Sequence, residues 1–288
     1  MASFALRQRN IHRLWISVVV AGLLFSSLWA VKLVDRVWFH EALKDFYADV
    51  RHGEDWSRAA SLGNLDYTWL ESSAAPIRIA HALGGAGGPE ANRLQMGARS
   101  VANGFRLLEV DLWLDQTSGV VHCHHGPEPP NPQTDCRIEQ LADLIAKTGA
   151  WLVLDIKTPF APSLAAIVQR LADRGVVQQA IVQLYAPDDF EIYEAARRAH
   201  HLVGPIVATH NAHRSIEHVA QQAAVRGVRA LSVPLGRLPA LRPIQTVKVL
   251  AHPVRDCAAL SRSVALGATG AYLIAGLDCR AVPATGTL

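Results

Sequence analysis

The chain has 288 residues, half of which are hydrophobic, and its formal net charge is only +3. A chain of this length and composition can bury one large hydrophobic core, so we expect one large domain with a short extension. The small net charge and the scattered arginines argue against a nucleic-acid-binding protein, because such proteins concentrate basic residues on one surface.

An uncharged apolar run near the N-terminus, residues 14–31, predicts a membrane-spanning helix. Arginines precede the run and no small-residue cleavage site follows it, which favours an uncleaved signal anchor with a cytoplasmic N-terminus over a cleaved signal peptide. A buried core helix is the alternative interpretation. The expected organisation is a cytoplasmic segment 1–13, a transmembrane anchor 14–34, a juxtamembrane lead-in 35–75 and a folded domain 76–288.

The four cysteines suit a domain outside the cytoplasm, where disulfides form and persist. Cys123 and Cys136 flank a proline-rich loop, and Cys257 and Cys279 lie in the last quarter of the chain. The parsimonious pairing joins Cys123 to Cys136 and Cys257 to Cys279. Two other connectivities, and free thiols, are alternatives that the sequence leaves open.

From residue 76 onward, short apolar runs alternate with amphipathic helical patterns. The runs predict strands at 77–80, 107–114, 151–156, 180–185, 202–208, 230–234, 247–251 and 271–275. The patterns between them predict helices at 138–148, 163–174, 188–199, 216–226 and 257–266. Eight strands alternating with helices predict a parallel (β/α)8 barrel, with a doubly wound open sheet as the competing fold.

Acidic residues interrupt two of the predicted strands. Glu109 and Asp111 are two residues apart and therefore point to the same face of their strand, and Asp155 and Lys157 repeat this spacing in the next strand. Carboxylates on a barrel's inner face are costly unless a cation compensates them. A solvated outer face or a salt-bridged edge is the alternative interpretation of each pair taken alone.

Polar residues also collect at the strand ends where barrel enzymes carry their catalytic groups. These residues are His81, Asp155, Lys157, Gln183, Tyr185, His210 and His252. Such a collection on several strands predicts an active site at the carboxyl end of the barrel.

At these positions the chain resembles the glycerophosphodiester phosphodiesterases, a family of barrel enzymes related to sphingomyelinase D. The matching segments are 79–85, 104–112, 120–124, 154–157, 183–185 and 251–256, together with Asn92. The resemblance implies a phosphoric diester hydrolase that acts on glycerophosphodiesters or on phospholipid head groups.

The resemblance also implies roles for individual residues. Glu109, Asp111 and Asp155 would bind one divalent cation, Mg²⁺ or Ca²⁺, through oxygen ligands. His81 and His124 would act as general base and general acid on the two sides of the phosphate.

A second set of residues is implied in substrate binding. Lys157 would add positive charge beside the phosphate, and Asn92 would supply an orienting hydrogen bond near the first histidine. Gln183, Tyr185 and His252 would complete the substrate-binding set, with packing as the alternative role of His252.

The chain departs from the family pattern at Ala82, where the commoner members carry an arginine that binds phosphate. This departure supports an alternative, a catalytically weakened barrel that binds lipid head groups or a partner protein. A metal-dependent hydrolase of another ester or amide is a further alternative. The favoured interpretation is a single-pass membrane protein whose phosphodiesterase domain, 76–288, lies outside the cytoplasm, in the periplasm or extracellular space. The oligomeric state is not predicted.

Overall fold

A computed structural model describes residues 56–279 except 74–75, 86–87, 127–129, 132–133, 211–214, 241–246, 276 and 278. The predicted anchor 14–34 and the segment before it lie outside the described residues, as does the first part of the lead-in. Within the described part of the chain, no helix combines the length and apolar character that crossing a membrane requires. The anchor, its orientation and the extracytoplasmic location stay predictions.

Eight parallel strands close into a barrel, and one short antiparallel strand extends it at one edge. The strands are β1 Ile77–Ala80, β2 Leu107–Leu114, β3 Val121–Cys123, β4 Trp151–Ile156, β5 Ala180–Leu184, β6 Ile206–Ala208, β7 Ala230–Pro234, β8 Lys248–Val254 and β9 Gly270–Leu273. The parallel order is β1-β9-β8-β7-β6-β5-β4-β2, and pairing of β1 with β2 closes the ring. The closed ring confirms the predicted (β/α)8 barrel and excludes the open sheet.

Helices connect the strands on the outside of the barrel. The α-helices are α1 Thr68–Glu71, α2 Leu94–Ala102, α3 Ile138–Thr148, α4 Phe160–Asp173, α5 Asp189–His200, α6 Ile216–Val225 and α7 Cys257–Ala265. Short 3₁₀ turns are formed by Trp56–Arg58, His81–Gly84, Val177–Gln179 and Leu235–Ala240. The five predicted helices are all present, whereas α2 and β3 were not predicted.

The register of the barrel brings acidic residues of two neighbouring strands side by side. Asp111 of β2 lies opposite Asp155 of β4, and both strands run in the same direction. Since alternate residues share a face, Glu109 lies on the same side as this pair. The strand pairing itself therefore assembles a carboxylate cluster inside the barrel.

Aromatic residues from the lead-in close the opposite end of the barrel. Tyr67 and Trp69 are buried among inward-facing residues of the strands. The indole of Trp69 donates to the carbonyl of Gly204 at 3.0 Å, and the hydroxyl of Tyr67 donates to the carbonyl of Pro205 at 3.0 Å. A Cβ on Gly204 would lie 2.4 Å from the ring of Tyr67, so only glycine fits there. This segment seals the amino end of the barrel, opposite the carboxylates.

Both disulfides predicted by the parsimonious pairing are present. Cys123 is bonded to Cys136, and Cys257 is bonded to Cys279. The backbone amide of Cys123 also donates to the carbonyl of Cys136 at 2.7 Å. The first disulfide therefore ties the end of the 126–135 loop to β3.

Replacing Trp69 with alanine should lower the free energy of unfolding by about 3–5 kcal/mol, since it opens a cavity and leaves the Gly204 carbonyl unpaired. Chemical denaturation followed by circular dichroism measures the change. Val225→Ala is the control, because Val225 is 79% exposed, and it should change stability by no more than about 0.5 kcal/mol. A loss of stability in Trp69→Ala as small as that of the control would contradict the role of Trp69 in closing the amino end of the barrel.

Candidate active site

Three buried carboxylates form the centre of the candidate site. Glu109, Asp111 and Asp155 are 1%, 4% and 7% exposed. One carboxylate oxygen from each lies within 4.8 Å of the others, a spacing that can hold a metal ion. The Oδ1 atom of Asp155 is buried without a hydrogen-bond partner among the described residues. An unpaired oxygen in an all-oxygen cluster fits a hard divalent cation.

One lysine partly compensates the negative charge. Lys157 Nζ lies 3.0 Å from Oδ1 of Asp111 and 2.7 Å from Oδ2 of Asp155. The hydroxyl of Tyr185 donates to the same Oδ2 at 2.8 Å. Three carboxylates thus face one ammonium group. Their negative charge, when all are ionised, exceeds the positive charge of Lys157, so a divalent cation could bind without creating an excess of positive charge.

Asn92 fixes the position of Asp111. Its amide nitrogen donates to Oδ2 of Asp111 at 2.8 Å, and its side-chain carbonyl accepts from the backbone amide of Asp111 at 3.0 Å. Asn92 is buried, and both of its side-chain polar atoms are used in these contacts to Asp111. These contacts orient Asp111, and the predicted substrate-binding role of Asn92 stays a prediction.

His81 begins a tight turn at the carboxyl end of β1. The next residues, Ala82 and Leu83, have φ angles of 48° and 59°, in the left-handed region that side chains adopt at a cost. This turn directs the backbone amide of Ala82 to Oε2 of Glu109 at 2.5 Å. It also places Nε2 of His81 4.0 Å from the same oxygen, beside the carboxylate cluster.

A second histidine packs directly against His81. The Nε2 atom of His252, on β8, lies 3.0 Å from Nε2 of His81. His210 and Tyr272 pack edge-on against the ring of His252, with ring centroids 4.4 Å and 4.7 Å away. The Tyr272 hydroxyl donates to Oε1 of Gln183 at 3.1 Å. Gln183 is itself buried, and this contact connects it to the aromatic ring that packs on His252.

His124 lies just after β3 and has a carboxylate partner that the sequence did not indicate. Its Nδ1 lies 3.0 Å from Oδ2 of Asp135. A carboxylate oxygen accepts a hydrogen bond from an imidazole N–H, so this contact places a proton on Nδ1. The backbone amide of His124 donates to the backbone carbonyl of Asp111 at 3.0 Å, which ties the chain after β3 to β2.

Asp135 reaches His124 because the chain folds back through the Cys123–Cys136 disulfide. The backbone amide of Asn131 donates to the same Oδ2 at 2.8 Å and helps to hold the carboxylate in place. The cysteine pairing was the only signal in the sequence that could have brought Asp135 and His124 together.

Burial sets the protonation of the site in the absence of a cation. Burial, and then the charges of Asp111 and Asp155, raises the pKa of Glu109 well above its usual value. Burial also raises the pKa of Asp155, although Lys157 opposes the shift. Burial alone would lower the pKa of Lys157, but the Asp155 and Asp111 carboxylates raise it above its usual value. The cluster therefore favours the fully ionised state only when additional positive charge is present.

The histidines beside the cluster are held neutral. Burial lowers the pKa of His81 to about 4, and the positive charge of Lys157 contributes to the shift. Burial, followed by the neighbouring His210 and His81, lowers the pKa of His252 well below its usual value. A neutral imidazole at pH 7 can accept a proton, as a general base must.

No protein-family model and no curated protein sequence matches the chain. Solved structures are similar to it. A phosphodiesterase from Oleispira antarctica, in complex with the product sn-glycerol-3-phosphate, is 16% identical with a TM-score of 0.56, and the match covers 72% of this chain and 96% of that one. A glycerophosphodiester phosphodiesterase from Parabacteroides distasonis is 13% identical with a TM-score of 0.55, and the match covers 68% of this chain and 91% of that one.

A third similar structure is a glycerophosphodiester phosphodiesterase from Agrobacterium tumefaciens, 12% identical with a TM-score of 0.50, where the match covers 68% of this chain and 95% of that one. At these identities the similarity establishes the fold. The similar proteins are phosphoric diester hydrolases, the class that the motifs predicted. The chain thus has the barrel fold of the glycerophosphodiester phosphodiesterases, and the resemblance drawn from its sequence is confirmed at that level.

Proposed function

We propose that the protein is a metal-dependent phosphodiesterase that hydrolyses a glycerophosphodiester or a phospholipid head group at the carboxyl end of its barrel. The observation that carries this proposal is the cluster of three buried carboxylates with an unpaired oxygen, with Nε2 of His81 4.0 Å from one of them. The cluster lies at the end of the barrel where enzymes of this fold carry out their chemistry.

Glu109, Asp111 and Asp155 would hold one Mg²⁺ or Ca²⁺. When bound, the cation would offset the negative charge that builds up on the phosphate oxygens during attack. Lys157 would contribute its ammonium group from the adjacent side of the cluster, where it already bridges Asp111 and Asp155. These residues together supply the electrostatic part of catalysis.

The two histidines would move the protons. His81 would take a proton from the attacking water while the new P–O bond forms. In its doubly protonated form, His124 would donate its Nε2 proton to the leaving oxygen while the old P–O bond breaks, and the Nδ1 proton would stay hydrogen-bonded to Asp135 and keep the ring oriented. One water is consumed, and the products are a phosphomonoester and an alcohol.

The location of the reaction is also part of the proposal. If residues 14–34 span the membrane as predicted, the barrel is tethered beside a lipid surface, which favours lipid-derived diesters as substrates. The Oleispira antarctica structure with sn-glycerol-3-phosphate supports a glycerol-containing product.

The decisive assay measures release of glycerol phosphate, choline or a similar head group from a panel of glycerophosphodiesters and phospholipids. We expect turnover with Mg²⁺ or Ca²⁺ and none with a chelator. Glu109→Gln should reduce turnover by about 100-fold or more, because it removes a charged ligand of the cation. Glu191→Gln on α5, an exposed carboxylate, is the control and should retain full turnover. No turnover on any diester, in a folded protein that binds the metal, would favour the head-group-binding alternative.

Although Glu109→Gln should lower turnover, it should raise the free energy of unfolding of the protein when no cation is bound. A carboxyl group whose pKa is raised by folding keeps a proton that the unfolded chain releases above the usual value of 4.5. The free energy of unfolding of the metal-free protein therefore falls as pH rises above that value. Glutamine does not ionise, so the variant avoids this loss of stability, and it can still accept the hydrogen bond from Ala82. Its free energy of unfolding should therefore be higher than that of the wild type by on the order of 1 kcal/mol at pH 8.

Thermal and chemical denaturation at pH 5 and pH 8, with chelator and with Mg²⁺, measures this stability effect. The stabilisation should be larger at pH 8 than at pH 5 and should reverse with saturating Mg²⁺, which binds the native carboxylates. A Glu109→Gln protein that is less stable than the wild type in chelator at pH 8 would contradict an uncompensated charge at this residue.

Asp135→Asn should slow the reaction most when the leaving group is a poor one. The variant loses the carboxylate that fixes the proton on Nδ1 of His124, so protonation of an alkoxide should become at least roughly tenfold slower. A p-nitrophenyl diester needs no such protonation and should be affected far less. Asp143→Asn, which removes a surface ion pair with Arg174, is the matched control. Equal losses on both substrates would indicate a structural role for Asp135 only.

A further inference from the structure

Two imidazole nitrogens meet beside the carboxylate cluster, and the proposed reaction uses only one of them. The Nε2 atoms of His81 and His252 are 3.0 Å apart, and Nε2 of His81 is 4.0 Å from Oε2 of Glu109. These three side chains come from β8, from β2 and from the turn after β1, so the closed barrel itself brings them together. The arrangement of two nitrogens and one carboxylate differs chemically from the all-oxygen cluster beside it.

The distances are close to those of a zinc site. Zn–N and Zn–O bonds are about 2.0–2.2 Å, so two ligands at a tetrahedral angle lie roughly 3.4 Å apart. The observed separations, 3.0 Å and 4.0 Å, bracket this value. Both are measured from Nε2 of His81, and a small adjustment of the Glu109 side chain would bring its carboxylate towards Nε2 of His252 when an ion binds.

We propose that His81, His252 and Glu109 form a second cation site that takes a transition metal such as Zn²⁺. Two histidines and a glutamate are an established ligand set for zinc. Mg²⁺ and Ca²⁺ prefer oxygen ligands and would stay in the carboxylate cluster, whereas imidazole suits Zn²⁺. Glu109 belongs to both ligand sets and would lie between the two ions.

The surroundings of His252 keep its ring in place for this role. His210 and Tyr272 pack edge-on against it, with ring centroids 4.4 Å and 4.7 Å away, so the ring has little freedom to turn out of the site. A preoriented ligand loses less conformational entropy when the metal binds. His252 therefore belongs to the metal-binding groups, in addition to the substrate contact predicted from the sequence.

Zinc in this site would inhibit the enzyme. It would occupy the lone pair on Nε2 of His81, the nitrogen that accepts a proton in the proposed reaction. This consequence rests on the proposed function, whereas binding of the metal does not. The two ideas can therefore fail separately, provided that binding is measured without substrate.

Calorimetric titration of the metal-free full-length protein with Zn²⁺ alone tests the site. The wild type should bind two Zn²⁺ ions, one in each site, and His252→Gln and His252→Phe should bind one. In both variants the lost site should be weakened by more than about 100-fold, beyond the typical effect of losing an outer-shell partner. His218→Gln, on α6, controls for the loss of a histidine and should bind two ions. Circular dichroism verifies that each variant is folded.

Two outcomes of the titration would overturn the proposal. One is a wild type that binds a single Zn²⁺, displaced by excess Mg²⁺. The other is a second Zn²⁺ that persists in both His252 variants and disappears in His124→Ala, which would place it at His124, just after β3.

Inhibition kinetics give an independent measurement. Zn²⁺ should inhibit Mg²⁺-dependent turnover of the wild type even in excess Mg²⁺, and inhibition of His252→Gln, relative to its own uninhibited rate, should need at least tenfold more Zn²⁺. Equal sensitivity of the two proteins would overturn the proposal. If no diester is turned over, the proposed function fails and the titration alone decides the zinc site.

Discussion

The excess of negative charge at the carboxyl end of the barrel is the constraint on which the site depends. Three buried carboxylates face one ammonium group, although an uncompensated buried charge costs several kcal/mol. The parallel register of β2 and β4 places Asp111 beside Asp155 and cannot separate them without breaking the barrel. Hydrogen bonds from Asn92 and Ala82 satisfy single oxygens without supplying a full charge. Folding thus maintains an arrangement that a divalent cation can neutralise.

His81 and His124 are held in place by different neighbours. His81 has an imidazole neighbour, His252, whereas His124 has a carboxylate neighbour, Asp135. A carboxylate holds the proton on Nδ1 of His124, whereas among the described residues the group 3.0 Å from Nε2 of His81 is the neutral imidazole of His252. The unequal surroundings are consistent with unequal roles, with a proton donor on the Asp135 side and a proton acceptor on the His252 side.

The sequence predicted the eight barrel strands because their apolar runs are long and are separated by clear helical patterns. The structural features that the sequence did not predict have physical causes. β3 has only three residues, and it depends on pairing with β2 and on the disulfide. β6 begins at Ile206 and not at residue 202, because the Gly204 and Pro205 carbonyls bind Trp69 and Tyr67. Asp135 could not be predicted because only the folded loop brings it to His124.

Ala82 stands where the commoner members of the resembled family have an arginine, and this difference makes the proposed reaction more dependent on the divalent cation. In the resembled family, the commoner members carry at this position an arginine that binds phosphate. In this chain the Ala82 side chain is buried, its φ angle is 48°, and its amide is used to bind Glu109. Lys157 is the cation that contacts the cluster, and Asp111 and Asp155 already share its charge. In the proposed reaction, neutralisation of the phosphate would therefore fall mainly to the divalent cation, and its loss would reduce turnover more completely than in a barrel that retains the arginine.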